Sequence, residues 1–255
     1  IVPPGSLRVA GYDLKTGEER WTVRGFARIA NMTPVVGEDG TLYVAEWAPG
    51  ADAGERIQAE PYDAMKERYD KDGSGTFEPS EFPPGPLQQR FGHIDRNKDG
   101  HITPEEYNWM REIFHTAENA VMAIRQGAVG DATETHVLWK QNRLLPYVPS
   151  PVYHDGHLYM VKNGGILSSL DVSNGDFVKQ ARVPFANNYY SSPVVADGKI
   201  YLVNQRGEVT IVTAEPKWRV LSTSELGEEV FATPAIDDGR IYLRTSGHLF
   251  CFGLQ

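Results

Sequence analysis

The stretch Pro193–Val203, PVVADGKIYLV, decides the fold. Asp197-Gly198 is a two-residue hairpin signal, because both central positions of such a turn need positive φ. The Ile-Tyr-Leu-Val run behind it reads as a half-buried strand. The same phrase recurs from Pro34 (PVVGEDGTLYV), Pro151 (PVYHDGHLYMV) and Pro234 (PAIDDGRIYLR), and the four prolines are 117, 42 and 41 residues apart. A repeat of about 42 residues matches a four-stranded propeller blade, and the long interval is one period plus an insertion of about 75 residues.

Working outward, third strands are read at 7–13, ahead of the first phrase, and after the four phrases at 120–126, 166–172, 208–214 and 248–253; a fourth strand often carries tryptophan, at Trp21, Trp139 and Trp218. Repeated aromatics at a fixed blade position are expected to dock one blade on the next, and the phrase tyrosines Tyr43, Tyr159, Tyr201 and Tyr242 are given the same packing role. The chain opens on a third and fourth strand and closes on a third. Soluble proteins avoid long unpaired edges, so the expectation is an arc of a larger propeller whose earlier blades, and a leader, lie before Ile1.

The insertion carries two acidic stretches of twelve residues, Asp70 to Glu81 (DKDGSGTFEPSE) and Asp95 to Glu106 (DRNKDGHITPEE). Calcium takes six to eight oxygen ligands, and a loop of this length supplies them from positions 1, 3, 5, 7, 9 and 12, with Gly at 6 for the bend. In the first loop these are Asp70, Asp72, Ser74, the Thr76 carbonyl, Glu78 through water, and Glu81 as the bidentate closer, around Gly75. In the second they are Asp95, Asn97, Asp99, His101, Thr103 and Glu106, around Gly100. Apolar residues recur at helical spacing around the loops: Tyr62, Met65 and Tyr69; Leu87, Phe91 and Ile94; Tyr107, Met110, Ile113 and Phe114. Thr103 and Glu106 alone would also make a helix capping box, but a capped turn has no need of carboxylates at positions 1 and 5. Pro83, Pro84 and Pro86 require the helix leaving the first loop to be short.

Residues 58–117 thus resemble the EF-hand family, in which the apolar residues at position 8, here Phe77 and Ile102, pair the two loops across a short β-bridge. The rest resembles the pyrroloquinoline-quinone-like (BamB-like) propeller repeat, whose signature of a strand ending in Ala-x-Asp, a Thr-Gly turn and then Trp is clearest in GYDLKTGEERW, Gly11–Trp21. SLDVSNGDFV, Ser169–Val178, is a copy without the tryptophan. The expected fold is all-β: a partial β-propeller, about four blades of seven or eight, with an α-helical EF-hand pair inserted in one blade. The division is 1–48 (blades), 49–118 (EF-hand pair) and 119–255 (blades). Blade geometry assigns the insertion to the loop face, as a cap or rim.

Composition narrows the function. The net charge is −9; residues 50–117 hold 14 acidic and 8 basic residues, hence −6, which leaves −3 for the rest. Nucleic acid is excluded as a partner on that balance, since phosphate binding needs clustered Lys and Arg. No apolar run approaches the length of a membrane span. Cys251 is the one cysteine. The resemblance implies either a cofactor-free assembly scaffold or a quinone-dependent dehydrogenase, and the latter holds its quinone against an adjacent-cysteine disulfide, which this sequence lacks. Pyrroloquinoline quinone is therefore not expected. Neither zinc spacing nor a nucleophile elbow is present, so no catalytic residue is assigned.

The preferred expectation is a non-enzymatic, calcium-binding scaffold, periplasmic or extracellular, with two Ca2+ ions. The alternative is part of a quinoprotein oxidoreductase whose cofactor residues lie outside the chain. The loops between blades offer Arg143, Tyr147, Asn187, Asn188, Tyr189 and Tyr190 as a face for another protein or a polar, carbohydrate-like ligand.

Overall fold

In a computed structural model the described residues are 4–5, 7–52 and 58–253. They divide into two units, one made of residues 1–53 with 118–255 and the other of 54–117.

The first unit is a series of antiparallel sheets. β1 (Pro4–Gly5), β2 (Arg8–Tyr12) and β3 (Glu19–Arg24) form the first. The second contains β4 (Val35–Val36), β5 (Leu42–Glu46) and β6 (Ala120–Ile124), so the insertion leaves after one strand and returns into its neighbour. A short β7 (Gly130–Asp131) then lies parallel to β3, and one helical turn, Thr133–His136, leads to β8 (Val137–Gln141), which completes the second sheet. Sequence patterning foresaw neither β7 nor this turn. β9 (Val152–His154), β10 (His157–Lys162), β11 (Ile166–Asp171) and β12 (Phe177–Arg182) form the third sheet. The fourth comprises β13 (Val194–Ala196), β14 (Lys199–Val203), β15 (Glu208–Thr213) and β16 (Val220–Glu225). β17 (Ala235–Asp237), β18 (Arg240–Arg244) and β19 (Leu249–Gly253) make the fifth.

Side chains alternate across a strand with period two, and here both faces are used. Val44 packs with Val9, Val23, Phe26, Met122 and Ile124 toward the first sheet. Tyr43 and Ala45, one residue to either side, pack with Leu158, Met160 and Leu170 of the third. Tyr159 and Val161 then face Ile200, Leu202 and Val212 of the fourth, and Val203 and Val209 face Leu243 of the fifth. The inner strands are therefore buried on both sides, not half-buried as their alternation suggests; all five residues of β6 are buried. This is the packing that makes near-continuous apolar runs such as AVMAI and LYMV favourable.

The hairpin turns hold in three of the four phrases. Asp155-Gly156, Asp197-Gly198 and Asp238-Gly239 all have positive φ at both residues, as the tight turn demands. The first phrase has an extra residue, Glu38, and only Gly40 of its Asp-Gly pair is left-handed. Its loop closes instead through Gly37 N to Thr41 O (2.8 Å) and Gly40 N to Gly37 O (3.0 Å).

Tryptophans dock neighbouring sheets as expected, with one exchange. The Trp139 indole N–H donates to Val172 O of the third sheet at 2.7 Å. Trp218 precedes β16 instead of lying within it, and Lys179 of β12 lies 3.9 Å from its ring centroid.

A hydroxyl ladder joins the sheets. The amide of Thr33 donates to Ser150 Oγ (2.9 Å), that of Ser150 to Ser192 Oγ (2.9 Å), and that of Ser192 to Thr233 Oγ1 (3.0 Å). Each of these residues stands immediately before a repeat proline. The root of the insertion is clasped by buried Asn119, whose side chain bonds Ala48 N (2.7 Å), Ala48 O (3.0 Å) and Asp52 Oδ1 (2.8 Å).

The second unit has α1 (Tyr62–Tyr69), α2 (Pro86–Ile94) and α3 (Pro104–Thr116), and the first loop ends in a 3-10 turn, Pro79–Glu81, in place of an exit helix. The helices bury Tyr62, Met65, Phe91, Ile94, Tyr107, Met110 and Phe114 around Phe77, Phe82 and Ile102. The seven helical residues were picked out by helical spacing and Phe77 and Ile102 by loop position 8; Phe82 was not foreseen, Tyr69 and Leu87 pack against the cluster only partly buried, and Ile113 does not join it.

Candidate metal centre

Both acidic loops fold alike, residue for residue. Positions 4 and 6 are left-handed in each: Gly73 and Gly75 (φ +75° and +81°) in the first, Lys98 and Gly100 (φ +60° and +88°) in the second. At position 6 this conformation favours glycine. It turns the Gly75 amide onto Asp70 Oδ2 and the Gly100 amide onto Asp95 Oδ2, both at 3.0 Å. Position 3 repeats the device, since Asp72 Oδ1 accepts from Ser74 N at 2.9 Å and Asn97 Oδ1 from Asp99 N at 3.0 Å. Phe77 and Ile102 exchange two backbone hydrogen bonds, 3.0 and 2.8 Å, and form the antiparallel bridge expected at position 8.

The carboxylate at position 12 folds back over its loop. Glu81 accepts from Lys71 N (2.7 Å) on one oxygen and from Glu78 N (3.0 Å) on the other. Glu106 likewise accepts from Arg96 N (2.9 Å) and from Thr103 N (3.0 Å), and the Glu106 amide donates to Thr103 Oγ1 (3.2 Å). The capping box of the second loop is therefore formed, and it points the Glu106 carboxylate inward. Burial pushes the Glu81 and Glu106 carboxyls up, but the amides aimed at them outweigh it and hold both below the usual carboxylate value. Asp72 and Asp99 are lowered chiefly by the Ser74 and His101 amides respectively. These groups are anionic at neutral pH.

Ligand atoms of Asp70, Asp72 and Glu81 lie within 4.8 Å of one another, the one such cluster of three acidic, His or Cys residues among the described residues. The second loop exchanges the acidic positions, with Asn97 where the first has Asp72 and Asp99 where the first has Ser74, so it too carries three carboxylates. In both loops the remaining oxygen at position 1, Oδ1 of Asp70 and of Asp95, is buried and has no hydrogen-bond partner. A buried carboxylate oxygen without a donor is costly unless a cation faces it. The donor set, anionic and all oxygen, fits a hard divalent cation.

Other expected ligands are placed less directly. Ser74 Oγ lies 3.2 Å from Thr76 O. Glu78 is turned toward the other loop, 2.7 Å from His101 Nδ1, and that contact raises the His101 pKa.

The six residues expected on the loop face separate. Arg143 is exposed, its guanidinium 5.9 Å from the Phe177 ring, and Tyr147 stands edge-on to Trp47 at 5.1 Å. Asn187 and Asn188 accept through their carbonyls from Gly164 N and Gln205 N, while Tyr190 packs on Phe231 at 5.4 Å. Tyr189 is misplaced by the sequence reading: it is fully buried, and its hydroxyl donates to Phe185 O at 3.1 Å. Burial pushes its pKa up to about 12. It is a core residue that happens to sit in a loop.

Comparison with known proteins bears on the sheet array. Residues 97–255 match the family described as outer membrane protein assembly factor BamB. A stretch of 77 residues, 30% of the chain, is 35% identical to outer membrane protein assembly factor BamB of Escherichia coli (strain K12) and, to the same extent, of Salmonella typhimurium (strain LT2). That stretch spans 19% of each of these curated relatives. The crystal structure of BamB from Moraxella catarrhalis superposes on 99% of the chain with a TM-score of 0.58 at 13% identity, and the chain spans 54% of that protein. The likeness in structure identifies the fold as that propeller. Since the family match extends over more than half of its length, the chain belongs to the family of outer membrane protein assembly factor BamB.

Proposed function

We propose that this protein is a calcium-binding, non-enzymatic propeller scaffold, with residues 49–118 acting as an EF-hand pair that holds two Ca2+ ions. The observation that carries the calcium reading is the pair of buried, unpartnered position-1 oxygens, Asp70 Oδ1 and Asp95 Oδ1, at equivalent places in two loops of the same backbone conformation. Asp70, Asp72, Ser74, Thr76, Glu78 and Glu81 would hold one ion, and Asp95, Asn97, Asp99, His101, Thr103 and Glu106 the other. The ions would supply rigidity, closing loops whose acidic groups otherwise repel one another.

Family membership supports an assembly scaffold over the quinoprotein alternative, since the matched relatives are named for outer membrane protein assembly. On that reading the partner is another protein of that process, met on the inter-blade loops around Arg143, Tyr147, Asn187, Asn188 and Tyr190. The location would be periplasmic or extracellular, where calcium near the millimolar level would fill even the weaker class of such loops. No helix of the described residues is long and apolar enough to cross a membrane. Calorimetric titration of Ca2+ into chelator-stripped protein should give two sites per chain; a flat titration refutes the calcium reading.

A further inference from the structure

The loop between β16 and β17 and the turn between β18 and β19 line a cleft of about 280 Å3, open to solvent, formed by Glu229, Phe231, Ala232, Arg244, Thr245 and Ser246. That is close to the roughly 300 Å3 at which small-molecule sites begin, room for a single ring. Its frame is fixed by hydrogen bonds. Ser246 N donates to Glu229 O and Val230 N to Gln205 O, each at 2.9 Å. Behind the wall, Glu228 accepts from Thr245 Oγ1 (2.5 Å) and Gly247 N (3.0 Å), and its other oxygen lies 2.6 Å from His248 Nδ1.

Three features of the lining converge. Phe231 is 53% exposed, yet its ring is braced by Tyr190 at 5.4 Å, so an apolar face stands open on a rigid support. The Glu229 carboxylate is oriented by Gln205 Nε2 at 3.2 Å through one oxygen only. Arg244 is exposed and has no carboxylate partner among the described residues. A guanidinium offers only donors and a carboxylate only acceptors. An anion in this space would satisfy Arg244 but be repelled by Glu229, and a cation would meet the reverse. A neutral ring of hydroxyls both donates and accepts, and its C–H face covers an aromatic ring.

We propose that this cavity binds one ring of a neutral saccharide, with Phe231 as the stacking platform and Glu229 and Arg244 as the hydroxyl-binding pair. The proposal adds a small-molecule site, adjoining Tyr190, to the protein-docking face proposed above, and it is independent of the calcium sites.

The test titrates glucose, N-acetylglucosamine and, as a zwitterion, glycine into the full chain in calcium buffer, followed by ligand-observed NMR. A sugar dissociation constant in the millimolar range is expected, weakened roughly tenfold by Phe231→Ala and also weakened by Arg244→Ala. Both side chains are exposed, so the variants should keep the wild-type circular dichroism. Leu14→Ala, at a residue 96% exposed between β2 and β3, should bind sugar as the wild type does. The proposal is overturned if neither sugar binds, if glycine binds more tightly than either sugar, or if binding survives Phe231→Ala undiminished. Loss of sugar binding with two calcium ions still bound would overturn the cavity and leave the calcium reading standing.

Discussion

Asp70 and Asp95, at the first position of two successive loops, hold one carboxylate oxygen on the amide of the sixth residue at 3.0 Å and keep the other buried without a partner. On the proposal made above, a cation in each loop would face this oxygen. The loops differ in sequence at positions 2, 3, 4, 5, 7, 8, 9 and 11, yet they share left-handed residues at positions 4 and 6 and the hydrogen bonds made by positions 1 and 3.

Removing the closing carboxylate should silence one loop at a time. Glu81→Gln keeps the shape but loses a charge, and calcium affinity is tuned by the number of charged ligands, so its own site should weaken by roughly tenfold or more. Glu106→Gln should do the same at the second loop. Two-site calorimetry checks this, and unchanged affinity at both sites would count against the assignment.

Calcium removal should loosen the helical unit before the sheets. An ion that binds the folded unit alone stabilises it by about 2.7 kcal/mol when present at 100 times its dissociation constant. Chelation should therefore speed hydrogen exchange across α1, α2 and α3 while β6, β10 and β14, buried on both faces, stay protected. Equal loss in both units would contradict the prediction.

The hydroxyl ladder offers a separate test of the propeller. Ser192→Ala removes the acceptor of the Ser150 amide, and loss of one such hydrogen bond costs on the order of 1 kcal/mol. Ser222→Ala, on the fully exposed β16, should cost almost nothing. Urea denaturation of the two variants measures the difference, and equal midpoints would show the ladder to be unimportant.

Glu46 sets a pH dependence. It is fully buried at the end of β5, with neither carboxylate oxygen hydrogen-bonded, and burial pushes its pKa up to about 9. The folded chain then keeps a proton that the unfolded chain has lost. Its contribution to stability is greatest below the unfolded value near 4.5, falls as pH rises through the window up to about 9, and is level above it. The slope is at most about 1.4 kcal/mol per pH unit. Glu46→Gln, which has no proton to lose, should gain on the wild type between pH 5 and pH 8 in denaturant melts. A constant difference across that range would be the contrary result.

Much of this was readable in advance, for physical reasons. The spacing of Asp70 to Glu81 foretold the left-handed bend at Gly75 and the bridge between Phe77 and Ile102, because a loop that gathers oxygens at fixed intervals must turn there. The Asp-Gly turns and the proline period mark the blades, because a hairpin demands those residues. Ser150 and Ser192 were legible only in retrospect: each precedes a repeat proline, but a serine before a proline reads as an ordinary turn, and its partner is some 40 residues away. Tyr189 was misread because loop position says nothing of direction, and here the ring turns into the core. Phe231 and Arg244 lie in different segments, and only the fold brings them to one cavity.

The most direct measurement is anomalous diffraction from crystals of the protein grown in calcium. Two peaks are predicted, one within bonding distance of Asp70, Asp72 and Glu81, the other of Asp95, Asp99 and Glu106. Density at neither loop, in crystals that contain millimolar calcium, would contradict the account.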